Sequence, residues 1–163
     1  MTAGNRWQHL NLLALAIAVS VLGVTGIAWW RDRVRMFETP RWHAARFVQL
    51  APADPIVERE RWVVAVSLAC PHCQAHLRAL ATRTASRGRP LALAALIVDQ
   101  PVRPTSTALG VPLAGGVWWD STQVWREAWG RRAYGETFRF NAQGELLSST
   151  PAGVVPDSSA IAI

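Results

Sequence analysis

A long apolar stretch opens the chain and predicts a membrane span. Residues 10–30 contain no charged side chain, and 21 residues of helix at about 1.5 Å each cover roughly 30 Å, the thickness of the hydrocarbon core. Trp7 precedes the stretch and Trp29 and Trp30 end it, where indole rings favour the headgroup region. We therefore predict a transmembrane anchor over residues 10–30, after a tail at 1–9.

A cleaved signal peptide is the alternative for this stretch. Gly26 and Ala28 would supply small residues before a cleavage site. The apolar run is longer than a usual signal core of about 7 to 15 residues, so an uncleaved anchor is favoured. A buried core helix is the poorer choice, because so short a chain could not cover it on all sides.

Residues 31–55 predict a juxtamembrane helix and a linker. Thr39 and Pro40 suit a helix cap and first position. Apolar residues follow at roughly helical spacing: Trp42, Ala45, Phe47, Val48 and Leu50. The proline-rich stretch 51–55 would break this helix, so the folded domain is expected to span residues 56–155.

From residue 56 onward the pattern alternates between strand and helix. Val63–Leu68 and Leu91–Val98 are continuous apolar runs, typical of buried strands. Between them, Pro71 to about Ser86 reads as a helix that ends before Gly88. Two parallel strands joined by a helix are the expected result.

The second half of the domain predicts shorter elements. They are a strand at Val117–Trp119, a helix at Thr122–Gly130, and a hairpin of Glu136–Asn141 and Glu145–Thr150. The fold class is thus an α/β sandwich whose last two strands are antiparallel, preceded by a single transmembrane helix. Residues 156–163 are expected to form a flexible tail.

The chemistry of the chain is concentrated in Cys70, Pro71, His72 and Cys73. These residues stand where the first apolar strand ends and a helix begins, so unpaired N–H groups and the positive dipole end lie beside Cys70. That position favours the thiolate, the attacking species in disulfide exchange. We predict Cys70 as the nucleophile and Cys73, one turn further on, as the resolving thiol.

His72 and Pro71 complete the motif between the two cysteines. A protonated imidazole at position 72 would stabilise the reduced thiolate and make the disulfide more oxidising. The redox group is then the disulfide itself, and no cofactor is expected.

Charge adds little to this interpretation. The net charge is +6, and all 17 basic residues are Arg, but they alternate with apolar residues and form no run. We therefore expect no nucleic-acid partner.

Other residues whose side chains could take part in binding or catalysis also have a structural explanation. His76 could join Cys70 and His72 as a metal ligand, but neighbours on one helix rarely converge on an ion without distant ligands, so no metal is expected. Asp99 could assist proton transfer from Cys73, although Asp at a strand end more often caps a loop. Four tryptophans, Trp118, Trp119, Trp125 and Trp129, favour core packing over a stacking platform.

The cysteine motif after an apolar strand resembles the active site of the thioredoxin superfamily. The Pro71–His72 pair is the one found in DsbA-type thiol oxidases. Other features are similar to membrane-anchored thioredoxins of the TlpA group: Leu91–Asp99, Val117–Asp120, Val124–Gly130 and Thr137–Leu146. The resemblance covers about residues 56–150 and implies a thioredoxin-like fold.

Two departures from that family concern the site. The family places a cis-proline before the hairpin, facing the disulfide, but this chain has Gly135 there. Pro112 takes that place in an alternative threading, which is less favoured because it leaves the Gly144 turn without a role. Ala69 precedes the first cysteine, where the family usually carries Trp.

These observations predict a membrane-anchored thiol:disulfide oxidoreductase that acts on protein thiols and exchanges with a membrane redox partner. Arg31, Arg33 and Arg35 after the span favour a cytoplasmic domain. Because disulfide chemistry favours an oxidising compartment, we expect the domain to face the periplasm. The alternative is a catalytically weak thioredoxin-like module that acts as an assembly subunit of a membrane complex.

Overall fold

The computed structural model describes residues 3–34, 36–54, 60–86 and 92–154. The chain divides into two compact units, Met1–Met36 and Phe37–Ile163. The predicted tail at 156–163 lies outside the described residues.

The first unit is a single helix, α1, at Ala3–Val34. Within it, Asn11–Arg31 is long and apolar enough to cross a membrane. Both hydroxyl groups of this stretch are satisfied inside the helix, because the Ser20 hydroxyl donates to the Ala16 carbonyl and the Thr25 hydroxyl to the Val21 carbonyl, at 2.8 and 2.7 Å. The length, composition and internal hydrogen bonding of α1 therefore suit a lipid environment.

The second unit is built on a six-stranded mixed sheet in the order β1-β4-β3-β2-β5-β6. The strands are β1 Val48–Ala51, β2 Glu60–Val66, β3 Ala92–Ile97, β4 Val117–Trp119, β5 Thr137–Asn141 and β6 Leu146–Thr150. The helices are α2 Pro71–Ser86 and the short α3 Val124–Glu127. Strand β2 pairs in parallel with β3, and β5 pairs antiparallel with both β2 and β6. The predicted α/β arrangement is confirmed.

The two faces of the sheet carry two separate apolar cores. Because side chains alternate along a strand, Val63 of β2 points to one face and Val64 to the other. The face of Val64 packs against Leu77 and Leu80 of α2. The face of Val63 is covered by an aromatic cluster: Trp42, Phe47, Trp118, Trp125, Trp129, Phe138 and Phe140. Trp118, Trp125 and Trp129 pack in the core as predicted, whereas Trp119 is half-buried.

The predicted juxtamembrane helix is wrong. Residues 44–46 form one 3₁₀ turn, and Val48–Ala51 forms strand β1, antiparallel to β4. Trp42 and Phe47 are both buried with their rings stacked at 4.9 Å. Burial of these two rings against the sheet outweighs the helical spacing, so the segment expected as a linker belongs to the domain.

Element ends differ from expectation by a few residues elsewhere. Helix α2 and strand β4 have the predicted bounds. Strand β2 begins earlier, at Glu60, and α3 is only four residues long within the predicted 122–130.

Candidate active site

The cysteine motif lies at the junction of β2 and α2. A tight turn leads into it, because the Cys70 N–H donates to the Ser67 carbonyl at 3.1 Å and the Ala69 N–H to the Ser67 hydroxyl at 3.3 Å. Pro71 is the first helical residue, where its missing N–H costs nothing. Cys70 therefore stands just ahead of the open N-terminal end of α2.

Cys70 and Cys73 are joined by a disulfide, with their Cα atoms 5.5 Å apart. The two sulfurs differ in environment, since Cys70 is half-buried whereas Cys73 is only 3% exposed. The Cys73 N–H points at the Cys70 sulfur at 3.3 Å. This donor and the helix dipole both favour negative charge on Cys70, so its sulfur is suited to attack and to be attacked.

Gln74 secures the turn that carries the cysteines. Its side-chain amide donates to the Leu68 carbonyl at 2.9 Å, and its N–H donates to the Cys70 carbonyl at 3.3 Å. Sequence reasoning missed this residue, because a Gln in the first turn of a helix is not distinctive. The contact fixes the strand-to-helix turn in one geometry.

Gly135 is the residue that the fold brings against the buried cysteine. A Cβ built on Gly135 would stand 3.5 Å from Cys73 Sγ. Gly135 has φ +82°, and its N–H donates to the Ala65 carbonyl at 2.7 Å. Pro112 is exposed in the loop before β4. Neither the positive φ nor the donated N–H is available to proline, so the local backbone is built for glycine.

The other residues of the motif face solvent. Pro71 and His72 are exposed on the first turn of α2, and Ala69 is exposed just before it. The position where the family usually carries Trp is therefore open here.

Asp99 is held in an ion-pair cluster beside this end of the sheet. Its carboxylate accepts two hydrogen bonds from Arg126, one of them at 3.1 Å from Nε, and one from the Tyr134 hydroxyl at 2.5 Å. The hydrogen bond from Arg126, followed by that from Tyr134, lowers the pKa of Asp99 although burial opposes the shift. A carboxylate held ionised in this way is a poor proton acceptor, so the contacts favour a structural role over the predicted proton transfer.

The same cluster reaches the site through Tyr134, which sequence reasoning did not single out. Tyr134 precedes Gly135, and its ring stacks on Trp125 at 5.5 Å. The only sequence clue was its place next to Gly135. The cluster anchors the loop that presents Gly135 to Cys73.

A second buried carboxylate, Asp120, holds the short helix α3 in place. Its two oxygens accept the N–H groups of Val124 and Trp125, each at 2.8 Å. Burial raises the pKa of Asp120, and the two backbone hydrogen bonds counteract it.

His76 lies half-buried one turn after Cys73 on α2, and its Nε2 is 3.3 Å from the Thr137 hydroxyl. Within the described part of the chain, no group of three or more His, Cys, Asp or Glu residues is placed to hold a metal ion. The redox-active group of the site is the disulfide of the protein itself.

The domain thus has a central strand that ends in a two-cysteine turn, a helix that begins at this turn, and a parallel neighbouring strand. A closing antiparallel hairpin completes the sheet. The fold is thioredoxin-like. This assignment rests on the strand pairing and on the position of the disulfide in this chain.

Comparison with known proteins gives similarity in fold only. No family model matches the chain, and no curated protein matches it in sequence. Among solved structures, StoA from Bacillus subtilis is 13% identical with a TM-score of 0.48, over 62% of this chain and 79% of StoA. The exposed lipoprotein thioredoxin from Streptococcus pneumoniae is 17% identical with a TM-score of 0.46, over 64% and 82%. An uncharacterized thioredoxin-like protein from Porphyromonas gingivalis is 14% identical with a TM-score of 0.49, over 74% and 89%.

Proposed function

We propose that this chain is a membrane-anchored thiol:disulfide oxidoreductase that exchanges the Cys70–Cys73 disulfide with protein thiols. The observation that carries the proposal is the unequal environment of the two sulfurs. Cys70 is accessible at a helix start and receives an N–H, whereas Cys73 is buried. An accessible attacking sulfur and a protected resolving sulfur are what two-step disulfide exchange requires.

The exchange proceeds through a mixed disulfide. A client thiolate attacks Cys70 Sγ, the Cys70–Cys73 bond breaks, and Cys73 leaves as thiolate and takes up a proton. A second client thiol, as thiolate, then attacks the client sulfur of the mixed disulfide, the bond from that sulfur to Cys70 breaks, and Cys70 leaves as thiolate and takes up a proton. The client leaves with a disulfide and the protein holds two thiols. The reverse sequence reduces a client disulfide with the same atoms.

The proposal includes an anchor and a location. Residues 10–30 would hold the domain at the inner membrane in a single pass, with the domain in the periplasm. The apolar length of α1 supports the anchor. The disulfide chemistry supports the compartment, because such bonds persist outside the cytoplasm and are reduced inside it. A membrane redox partner would restore the disulfide or the dithiol between turnovers.

Trapping of client proteins tests the roles of the two cysteines. With Cys73→Ser, Cys70 remains free to form a mixed disulfide that nothing resolves, so covalent complexes should accumulate. Cys70→Ser is the matched control and should trap far fewer. Equal trapping by both variants would contradict the role assignment. No trapping, together with wild-type function in both variants, would favour the non-catalytic assembly module.

Topology has its own test. A thiol-reactive probe that cannot cross membranes should label a cysteine introduced in place of Ser148, which is exposed on β6, in intact cells whose outer envelope is made permeable. The variant background would be Cys70→Ser with Cys73→Ser. Labelling only after lysis would put the domain in the cytoplasm.

A further inference from the structure

Helix α2 presents a titratable side chain next to the resolving cysteine. Cys73 and His76 are three residues apart, so they are neighbours on one helix face, with Cβ atoms about 5 to 6 Å apart. That face is turned toward the sheet, since Cys73 and Leu77 are both buried in the same apolar core. His76 is half-buried at the edge of this core.

Strand β5 fixes the imidazole from the opposite side. Thr137 is the first residue of β5, and Gly135 lies two residues earlier in the turn before it; both residues lie against α2. Gly135 lies against Cys73, and the Thr137 hydroxyl lies 3.3 Å from His76 Nε2. Residues 135 and 137 therefore lie against Cys73 and His76, which are one helical turn apart on the same face of α2.

Cys73 needs a proton acceptor when it resolves a mixed disulfide. It is buried in the same apolar cluster as Val64, Val66 and Leu77, and such apolar surroundings disfavour a free thiolate. A group that takes the proton as the sulfur attacks removes this cost. General acid–base assistance of this kind is typically worth about 10² to 10⁴ in rate.

The other charged groups around this interface are engaged or cationic. Arg83 lies further along α2 and is a cation. Arg139 of β5 holds Glu60 of β2 through two hydrogen bonds of 2.8 Å. Glu136 is one residue out of register with Thr137, so it points to the opposite face, where it pairs with Arg131 at 3.1 Å.

We propose that His76 accepts the proton of Cys73 during resolution of the mixed disulfide, with Thr137 orienting the imidazole. This inference rests on the proposed function. With Nε2–H donated to the Thr137 hydroxyl, Nδ1 carries the lone pair that takes the proton, directly or through one water. The Cys73 thiolate attacks Cys70 Sγ, the Cys70–Cys73 bond forms, the bond from Cys70 to the client sulfur breaks, and the client leaves as thiolate.

The charge state of His76 fits this role. Burial, and secondarily the charge of Arg83, lowers the pKa of His76 below its ordinary 6.5. The imidazole is therefore neutral at neutral pH and can accept a proton.

The two chemical steps can be timed separately on the reduced full-length protein in detergent micelles. An aromatic disulfide reagent releases one coloured thiolate when Cys70 attacks it and a second when Cys73 displaces the reagent from Cys70. His76→Gln keeps a group that can hydrogen-bond Thr137 but cannot take the proton. We expect the second release to slow about 100-fold at pH 7 with the first unchanged. The gap should close at alkaline pH, where Cys73 ionises unaided.

Controls separate this inference from the proposed function. His43→Gln, at an exposed position outside the site, should leave both releases as in wild type. The role of His76 would be overturned if the second release in His76→Gln had the wild-type rate, or if it were slowed equally at all pH values. Neither result would contradict the proposed oxidoreductase activity. A wild-type protein that releases no coloured thiolate would contradict the proposed function itself. In wild type alone, the second release should fall as pH drops through the lowered pKa of His76, and a flat profile there would also overturn the proposal.

Discussion

Gly135, in the turn before β5, faces the sulfur of Cys73 on α2 and leaves space there for a side-chain carbon only at van der Waals distance. A Cβ at residue 135 would stand 3.5 Å from Cys73 Sγ and 3.2 Å from the Ala152 Cβ. The thioredoxin superfamily places a proline where the resemblance puts Gly135, yet φ here is +82° and the N–H is donated to Ala65. The chain therefore passes beside Cys73 in a backbone conformation that only glycine adopts easily.

Installing the family residue should therefore weaken this protein. Gly135→Pro loses the hydrogen bond to Ala65 and cannot adopt the observed φ, so we expect a loss of about 3 kcal/mol or more in the free energy of unfolding. Gly135→Ala should cost about 1 to 2 kcal/mol for the left-handed backbone, plus the cost of a tight 3.2 Å contact between the new Cβ and the Ala152 Cβ. Urea unfolding of the full chain measures both.

Gly153→Ala is the matched control for this pair. Gly153 has φ +79° with nothing within 4 Å of a built Cβ, so it carries the backbone strain without the contacts. A Gly135→Pro protein as stable as wild type would show that the loop before β5 has a different conformation in solution.

Local patterns predicted the elements whose information lies within one stretch of chain. Strand β2 and helix α2, with the redox motif between them, could be predicted from local features of residues 63–86. These features are the apolar run, the proline and the helical periodicity. Residues 39–50 were predicted as a helix because Trp42 and Phe47 also suit that period. In the structure, Val48–Ala51 instead pairs with the strand Val117–Trp119, which lies far along the chain, so no local pattern reveals the pairing.

The candidate site, too, could be predicted only where its information lies in a local sequence pattern. The cysteines were visible as a motif, and the place of Gly135 followed from a resemblance. The hydrogen bonds that hold their surroundings join residues 27, 35 and 61 positions apart: Asp99 with Arg126, Asp99 with Tyr134, and His76 with Thr137. Such pairs are set by the sheet order, so only the folded chain brings them together.

The Asp99 cluster should contribute stability that depends on pH. Arg126 and Tyr134 lower the pKa of Asp99 in the folded state, so the contribution is present above the unfolded value of about 3.8 and is lost as pH falls through the lower folded value. Asp99→Asn should cost about 1.5 to 3 kcal/mol at pH 7, the range for hydrogen bonds to charged groups.

Unfolding of the Asp99→Asn variant should also depend less on pH below about 4 than that of wild type, because the titrating group is gone. Asp54→Asn is a suitable control, since Asp54 is exposed. Equal acid sensitivity of the Asp99 variant and wild type would mean that the ion pair does not persist in solution.

Trp42 should be a major stabilising residue of the domain, although it lies ahead of the predicted boundary at residue 56. Its ring packs on Phe47 at 4.9 Å and meets Trp118 edge-on at 5.4 Å, with the Arg61 guanidinium 5.2 Å from its centroid. Trp42→Ala should lower the free energy of unfolding by about 3 to 5 kcal/mol. Trp30→Ala, in α1, should leave unfolding of the domain unchanged. If Trp42→Ala also had no effect, the segment before residue 56 would not be part of the cooperative unit.

The reduction potential of the disulfide should depend on His72. His72 is exposed on the first turn of α2, next to a Cys70 sulfur that already receives the Cys73 N–H. An imidazolium there adds to the helix dipole and stabilises the reduced thiolate, which makes the disulfide more oxidising. His72→Asn removes the ring that can carry a positive charge while keeping a polar side chain in the helix. We expect its potential to fall by about 30 mV, which for this two-electron couple is a tenfold change in the equilibrium constant, or roughly 1.4 kcal/mol. Redox titration of the full chain against glutathione measures the shift, with His43→Asn as a control that should not move it. An unchanged potential in His72→Asn would show that the helix start and the Cys73 N–H set the thiolate stability without the imidazole.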